Sequence, residues 1–233
     1  MGSVYEVLKP DVILFYFFVE PSGVWWDRAK SMVIPEQIPA VTDVYGKRVR
    51  HPAHQSDFVR LKKIVERGGI YHDLDVVTLR TYPDDWYRHE FVMAKEHKWS
   101  LCNAVMMSAI NSTFGNIWLE KYRDFDDSTW NRFNVVLPKE LSGKYPQHIL
   151  VLPMSAFFIP AGERSAILLM HNNEPLWDWR LHPEQYSYHM WSQAVKRFAP
   201  DRANPNISSL FAMNSSFNLI LRRFIDAEFL KQN

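Results

Sequence analysis

The stretch that most restricts the fold is "SDFVRLKKIVERGGIYHDLDVVTL", residues 56–79. Phe58, Leu61, Ile64 and Val65 recur at helical spacing, with Ser56 placed as an N-cap. Gly68 and Gly69 end that helix, and "IYHDLDVVTL" reads as a strand rich in β-branched residues. A helix that returns tightly into a strand is half of a βαβ unit. It predicts an α/β domain with a mixed, mostly parallel sheet flanked by helices.

The rest of the chain fits that class. "DVILFYFFVE" is an expected buried strand, and "PSGVWWDRAKSMV" a turn into a short helix. "IPAVTDVYG", closed by Gly46, is a second expected strand, and "EFVMAKE" and "LCNAVMMSAI" are further ones. "FGNIWLEKYRDF", "HMWSQAVKRF" and "SSFNLILRRFIDAEFL" carry helical patterns, and "HILVLPMSAFFIP" gives one or two short strands. Residues 161–187 mix charge, Trp and Pro without a period and are expected to form a loop. No repeat or linker-like run divides the 233 residues, so a single domain over 1–233 is expected.

Composition excludes several classes. With 47% hydrophobic and 23% charged residues, the chain has material for an ordinary core. A net charge of +1 provides no basic surface for nucleic acid or anionic lipid. The single Cys102 rules out an internal disulfide and a cysteine zinc site. The apolar run at residues 12–19 is too short to span a bilayer and lacks a basic leader. Glu6 stands where a myristoylation signal needs Ser or Thr. As it stands the sequence reads as soluble. Sequons at Asn111, Asn206 and Asn214 permit a secretory origin.

The chemistry concentrates at Asp73 and Asp75. On a strand they project to one side, where two parallel carboxylates repel unless a cation sits near them. Two oxygen ligands leave most positions of an octahedral Mg²⁺ or Mn²⁺ open for a diphosphate and water. On spacing alone, an acidic strand end facing water is the commoner case. The preceding helix shifts the balance. Asp57 and Arg60 are three apart and share a face. Ser56 and Asp57 lie where free backbone N–H groups receive anions. The Gly-Gly return aims helix start and strand end at one edge of the layer, where α/β proteins bind ligands.

These residues resemble a known family. Ala53, His54, Ser56, Asp57, Arg60, Gly68, Gly69, Ile70, Tyr71, Asp73 and Asp75 follow the sugar-nucleotide pattern of glycosyltransferase family 32. "LKPDVILFYFFVEPSGVWWDRAK", "LCNAVMMSA", "FDDSTWNRFNVVLPKEL" and "YSYHMWSQAV" resemble fungal-type blocks of that family, so the likeness covers most of residues 7–225. It implies a GT-A-like fold and retaining transfer of a hexose from a nucleotide-diphosphate sugar to a glycan or glycolipid. Asp73 and Asp75 would be the catalytic pair, holding Mn²⁺ (or Mg²⁺), with His189 as third ligand from a C-terminal helix. Ser56, Asp57, Arg60, Tyr71, Asn103 and Trp191 would bind donor sugar and nucleotide. A Golgi lumenal location is implied as well.

The sequence departs from the family in two places. No counterpart of the family's first strand is found, so a sheet without it, in an N-terminally truncated chain, is expected. His72 replaces an apolar residue and should face away from the metal by strand alternation. Two functional alternatives stay open: an enzyme, or an inactive relative that binds metal and nucleotide without turnover. A metal-dependent phosphohydrolase would need more ligands near Asp73 than the sequence offers. Trp25, Trp26, Trp130, Trp177, Trp179 and Trp191 are candidate stacking surfaces for sugars.

Overall fold

The computed structural model describes residues 1–225, which pack into two compact units. The larger comprises residues 11–73 and 82–154; the smaller, residues 1–10, 74–81 and those from Ser155 onward. In chain order the strands are β1 (Leu14–Phe17), β2 (Ile34–Gln37), β3 (Asp43–Val44), β4 (Lys47–Arg48), β5 (Gly69–His72), β6 (Val76–Thr78), β7 (Phe91–His97), β8 (Ser100–Ser108), β9 (Leu150–Leu152) and β10 (Ser187–His189). The α-helices are α1 (Val24–Ala29), α2 (Pro52–Arg67), α3 (Thr113–Lys121), α4 (Leu137–Lys144), α5 (Arg164–Met170), α6 (Ser192–Phe198), α7 (Ile207–Ala212) and α8 (Ser216–Arg222).

The larger unit is built on the sheet β5-β8-β7-β9. Every residue of β8 is buried, as expected for a central strand covered on both faces. Its core joins Leu61, Ile64 and Val65 of α2 to Phe91 and Met93 of β7, Leu101 and Met106 of β8, and Phe114 and Trp118 of α3. Each such large apolar side chain contributes about 1.5–3 kcal/mol on burial. α2 and α3 approach closely at Gly115, where a Cβ would lie 2.4 Å from Val65 Cγ2. Gly68, at φ +68°, turns α2 into β5, and a Cβ there would lie 2.9 Å from Ile110. β1 and β2 form a separate parallel pair, and β3 and β4 a short antiparallel hairpin.

The α/β class and the flanking helices are as expected, an arrangement consistent with a GT-A-like fold. Strand direction differs from the mostly parallel expectation. β1–β2 and β7–β9 are parallel, whereas β5–β8, β7–β8, β3–β4 and β6–β10 are antiparallel. The reason is connectivity: Lys98 and Trp99 alone join β7 to β8, and a two-residue link permits only a hairpin.

In the smaller unit β6 pairs antiparallel with β10, Val76 opposite His189 and Thr78 opposite Ser187. The Thr78 N–H donates to Ser3 Oγ at 3.0 Å. Val77, Leu79, Met170, Tyr188, Leu210, Phe217 and Ile220 form one core cluster. Ile167, Val195 and Ala199 form another.

Three local expectations are corrected. Residues 161–187 hold α5 as well as loop, because Ile167 and Met170 are fully buried on one helical face. The second strand lies earlier, at Ile34–Gln37, and "TDVYG" belongs to the β3–β4 hairpin. The segment "HMWSQAVKRF" starts as strand and becomes helix only at Ser192. The C-terminal pattern is helical over Ser216–Arg222, and its part beyond residue 225 lies outside the described residues.

Candidate functional site

Pro52 opens α2, its missing N–H costing nothing at the first helical position. Ser56 is therefore one turn inside the helix and is not the N-cap. The anion role expected of Ser56 and Asp57 through free helix N–H groups is lost with it. Their side chains have other work. Ser56 Oγ accepts from Arg60 Nη2 at 3.1 Å, one helical turn on. Arg60 Nη1 also reaches Asp73 Oδ2 at 2.9 Å and Asn103 Oδ1 at 3.3 Å, and its Nε lies 3.6 Å from Asp57 Oδ1. Asn103 Nδ2 donates to Asp57 Oδ1 at 2.8 Å. Tyr71 donates to Asp73 Oδ1 at 2.6 Å, and its ring lies beneath the Arg60 guanidinium at 5.0 Å. Backbone pairing fixes the register, since the Asp73 N–H donates to Ala104 O at 2.8 Å.

Ser56, Asp57, Arg60, Tyr71, Asp73 and Asn103 thus form one hydrogen-bonded network within the larger unit. It sets one guanidinium against two carboxylates. The Asp57 and Arg60 side chains are only 8% and 11% exposed. Burial pushes the Asp57 carboxyl above its ordinary range, with Arg60 and Asn103 opposing. Burial also pushes the Tyr71 phenol up. Burial works to lower the Arg60 pKa, but Tyr71, Asp73 and Asp57 outweigh it, so the cation is held more firmly than usual.

Asp73 and Asp75 do not lie on one continuous strand. β5 ends at His72, Leu74 and Asp75 form a turn, and β6 begins at Val76. The same-side argument from strand alternation does not apply, and each carboxylate has its own partners. In the smaller unit Asp75 Oδ1 lies 3.2 Å from His189 Nε2, and Asp75 Oδ2 accepts from the Ser192 N–H at 3.0 Å. The Met190 N–H donates to the Asp75 carbonyl at 2.7 Å. Burial would raise the Asp75 carboxyl, but His189 and Ser192 hold it well below the usual range.

His189 stands at the end of β10 rather than on a helix, as its pairing with Val76 requires. Its Nδ1 is buried, with no hydrogen-bond partner among the described residues. Trp191 adopts the left-handed conformation, at φ +53°, and its indole N–H donates to Pro160 O at 3.0 Å. Its ring packs against His189, centroids 4.2 Å apart, and over Gly162. Trp191 therefore fixes the imidazole rather than lying free as a stacking surface. His72 bonds Tyr82 Oη through Nε2 at 3.3 Å.

Sequence reasoning gave no role to His54 or Ser192. His54 is buried and joins Asp127 Oδ1 at 2.8 Å to the Trp130 carbonyl at 3.1 Å, tying the 126–130 turn to α2. Its place beside Ala53 in the quoted pattern was the available signal. Ser192 acts through its backbone, which no residue pattern reveals.

Comparison with known proteins follows the same residues. The family described as "glycosyltransferase sugar-binding region containing DXD motif" matches residues 10–93. Over 97% of its length the chain is 31% identical to "Glucan organizing enzyme 1" of Cryptococcus neoformans var. grubii. The chain is thus similar to the DXD-containing, family-32-like glycosyltransferases. It spans 63% of the length of that fungal relative. The matched segment holds Ser56, Asp57, Arg60, Tyr71, Asp73 and Asp75, whereas Asn103, His189 and Trp191 fall beyond it. No solved structure gives a significant match. No helix among the described residues is long and apolar enough to cross a membrane.

Proposed function

We propose that residues 1–233 act as one catalytic domain of a retaining, metal-dependent hexosyltransferase. It moves a sugar from a nucleotide-diphosphate donor to a glycan or glycolipid in the Golgi lumen. The observation that carries this reading is the Arg60 network. It is a buried array of carboxylate, amide, phenol and guanidinium groups, the groups that hydrogen-bond sugar hydroxyls. Asp57 and Asn103 are aligned by their own 2.8 Å bond, so they meet a hydroxyl with little reordering. Arg60 neutralises Asp57 and Asp73 while Tyr71 orients Asp73.

The residues present fit a divalent cation. Asp75 is held ionised, His189 offers an imidazole nitrogen beside it, and oxygen with imidazole donors suits Mn²⁺ or Mg²⁺. Asp75 and His189 would hold it. A cation so bound supplies charge neutralisation to the leaving diphosphate. Trp191 keeps the imidazole oriented, and the Ser192 N–H keeps Asp75 in place.

The test is a panel of nucleotide-diphosphate hexoses with Mn²⁺, scored for hydrolysis and for transfer to oligosaccharides. Wild type should turn over at least one donor, and Asp73→Asn with Asp75→Asn should lose at least a hundredfold. Equal rates for wild type and double variant on every donor defeat the proposal. Tight Mn²⁺-dependent nucleotide binding without turnover would establish the binding-module alternative.

A further inference from the structure

Three sequons occur, and the folded chain treats them differently. Asn206 caps α7, its side-chain oxygen accepting from the Ser209 N–H at 2.8 Å. Asn214 Oδ1 accepts from Arg222 Nη1 at 2.8 Å. The hydroxyl residue of that sequon, Ser216, is 1% exposed and accepts from the Trp177 N–H. Both amides are therefore held in one orientation by the fold.

Asn111 is different. It sits in the turn between β8 and α3, exposed, at φ +55°. Asn tolerates that left-handed conformation better than most residues. Its backbone is pinned, the N–H donating to Val65 O at 2.8 Å, while among the described residues no hydrogen bond engages its side chain. Ser112, between the two residues that define the sequon, is 2% exposed and bonds Ser108 Oγ at 2.8 Å. Asn111 and Thr113 both stay at the surface, and the Thr113 N–H is tied to Glu90. The turn thus presents an unengaged amide and its threonine on a rigid base.

We propose that Asn111 carries an N-linked oligosaccharide. In the modification a bond forms between Asn111 Nδ2 and the anomeric carbon of a lipid-diphosphate-linked oligosaccharide. The bond from that carbon to the diphosphate oxygen breaks, the diphosphate lipid leaves with the electron pair, and the amide gives up one proton. The site is compatible with sugar transfer elsewhere on the unit. Ala104, which pairs with Asp73, and Ser108, which precedes the turn, are separated by roughly 13 Å of strand. Asn111 meets the C-terminal end of α2, whereas Ser56 lies in its N-terminal half and Arg60 near its middle. The glycan would therefore leave from the end of the sheet remote from the Arg60 network. The inference shares with the function proposed above only the lumenal location.

The test uses the full 233-residue chain behind a cleavable secretory leader in a eukaryotic host. Peptide-N-glycosidase digestion in ¹⁸O water, read by mass spectrometry, reports occupancy at each Asn separately. Asn111 should be occupied in most molecules. Asn111→Gln and Thr113→Ala should each remove one glycan step on a gel, and both should match the enzymatically deglycosylated wild type in thermal midpoint. An unmodified Asn111, with or without glycans at Asn206 or Asn214, overturns the proposal. Occupancy is read without any sugar-transfer assay, so failure here is distinct from failure of the proposed activity.

Discussion

Arg60→Met removes the single cation of the buried network while keeping much of its apolar stem. Asp57, 8% exposed, would then keep only the Asn103 amide as a partner. Breaking a buried ion pair from one side typically costs about 3–5 kcal/mol. Asp57 has an escape, because it can take up a proton. At pH 7 that costs roughly 4 kcal/mol, at about 1.4 kcal/mol for each unit above an ordinary aspartate pKa near 3.9. Burial already pushes Asp57 up in the wild type, so the loss falls below that ceiling, near ~3 kcal/mol. Asp73, at 21% exposure, adds less because water screens it. Urea unfolding at pH 7 should show the loss as a lower midpoint with unchanged m. At pH 5 the proton costs only about 1.5 kcal/mol, and the penalty should shrink with it. Adding Asp57→Asn should recover about 1–2 kcal/mol at pH 7, a coupling expected of residues in one network. A variant within ~0.5 kcal/mol of wild type at pH 7, or a penalty equal at both pH values, refutes the account of Arg60 as the counter-charge of a buried carboxylate.

Other consequences follow from the same contacts. Gly115→Ala gains about 1 kcal/mol of helix propensity but drives a methyl to 2.4 Å from Val65 and 2.7 Å from Ser112 Oγ. Overpacking should win, giving a net loss of about 1–2 kcal/mol, and a raised thermal midpoint would show the α2–α3 spacing to be looser than described. His171 is held down to about 4 by burial, with Arg202 adding to the effect and Asp201 opposing it. The unfolded chain then binds the extra proton first, so stability is full above pH ~6.5 and falls as pH drops toward 4. After discount for its partial exposure the loss is about 1–2 kcal/mol, and His171→Phe should flatten that limb of a pH–stability curve. Mn²⁺ should raise the thermal midpoint of wild type by mass action, and His189→Ala should abolish the rise; an unchanged rise would remove His189 from the metal site.

The sequence made the α2–Gly68–Gly69–β5 unit legible because two periodicities meet there, and glycine alone tolerates the turn between them. The break at Asp73–Leu74–Asp75 was not legible. Val76 and Val77 continue the β-branched run, so the strand pattern reads straight through the turn. The clue was Leu74, which a continuous strand would direct to the opposite face and which is instead 67% exposed. Pro52 signalled the true start of α2, but Ser56 imitated an N-cap because its hydroxyl precedes the first apolar residues. The β7–β8 hairpin was hidden for the opposite reason, since Lys98-Trp99 carries none of the Gly or Asn that usually marks a tight turn.

The site is legible all the same, because its chemistry depends on fewer contacts than its secondary structure does. Arg60 meets Asp73 because α2 returns through two glycines into β5, and that return holds wherever the helix begins. Asn103 meets Asp57 because β8 pairs beside β5, and the 2.8 Å bond needs the strands to be neighbours in register, whichever direction they run. His189 shows the converse. The family resemblance implies a helix there, yet the partner that matters, Asp75, follows from the pairing of Val76 with His189 across β6 and β10. No periodicity in "YSYHMWSQAV" specifies that pairing. It depends on a left-handed Trp191 between strand and helix, a backbone conformation that non-glycine residues seldom adopt and that sequence patterns do not encode. Trp191 is held there by the Pro160 carbonyl and has room because residue 162 is glycine, where a Cβ would lie 2.9 Å from the indole. Gly162→Ala should therefore act on His189 through Trp191, weakening Mn²⁺ binding while leaving the Arg60 network and the stability of the larger unit unchanged.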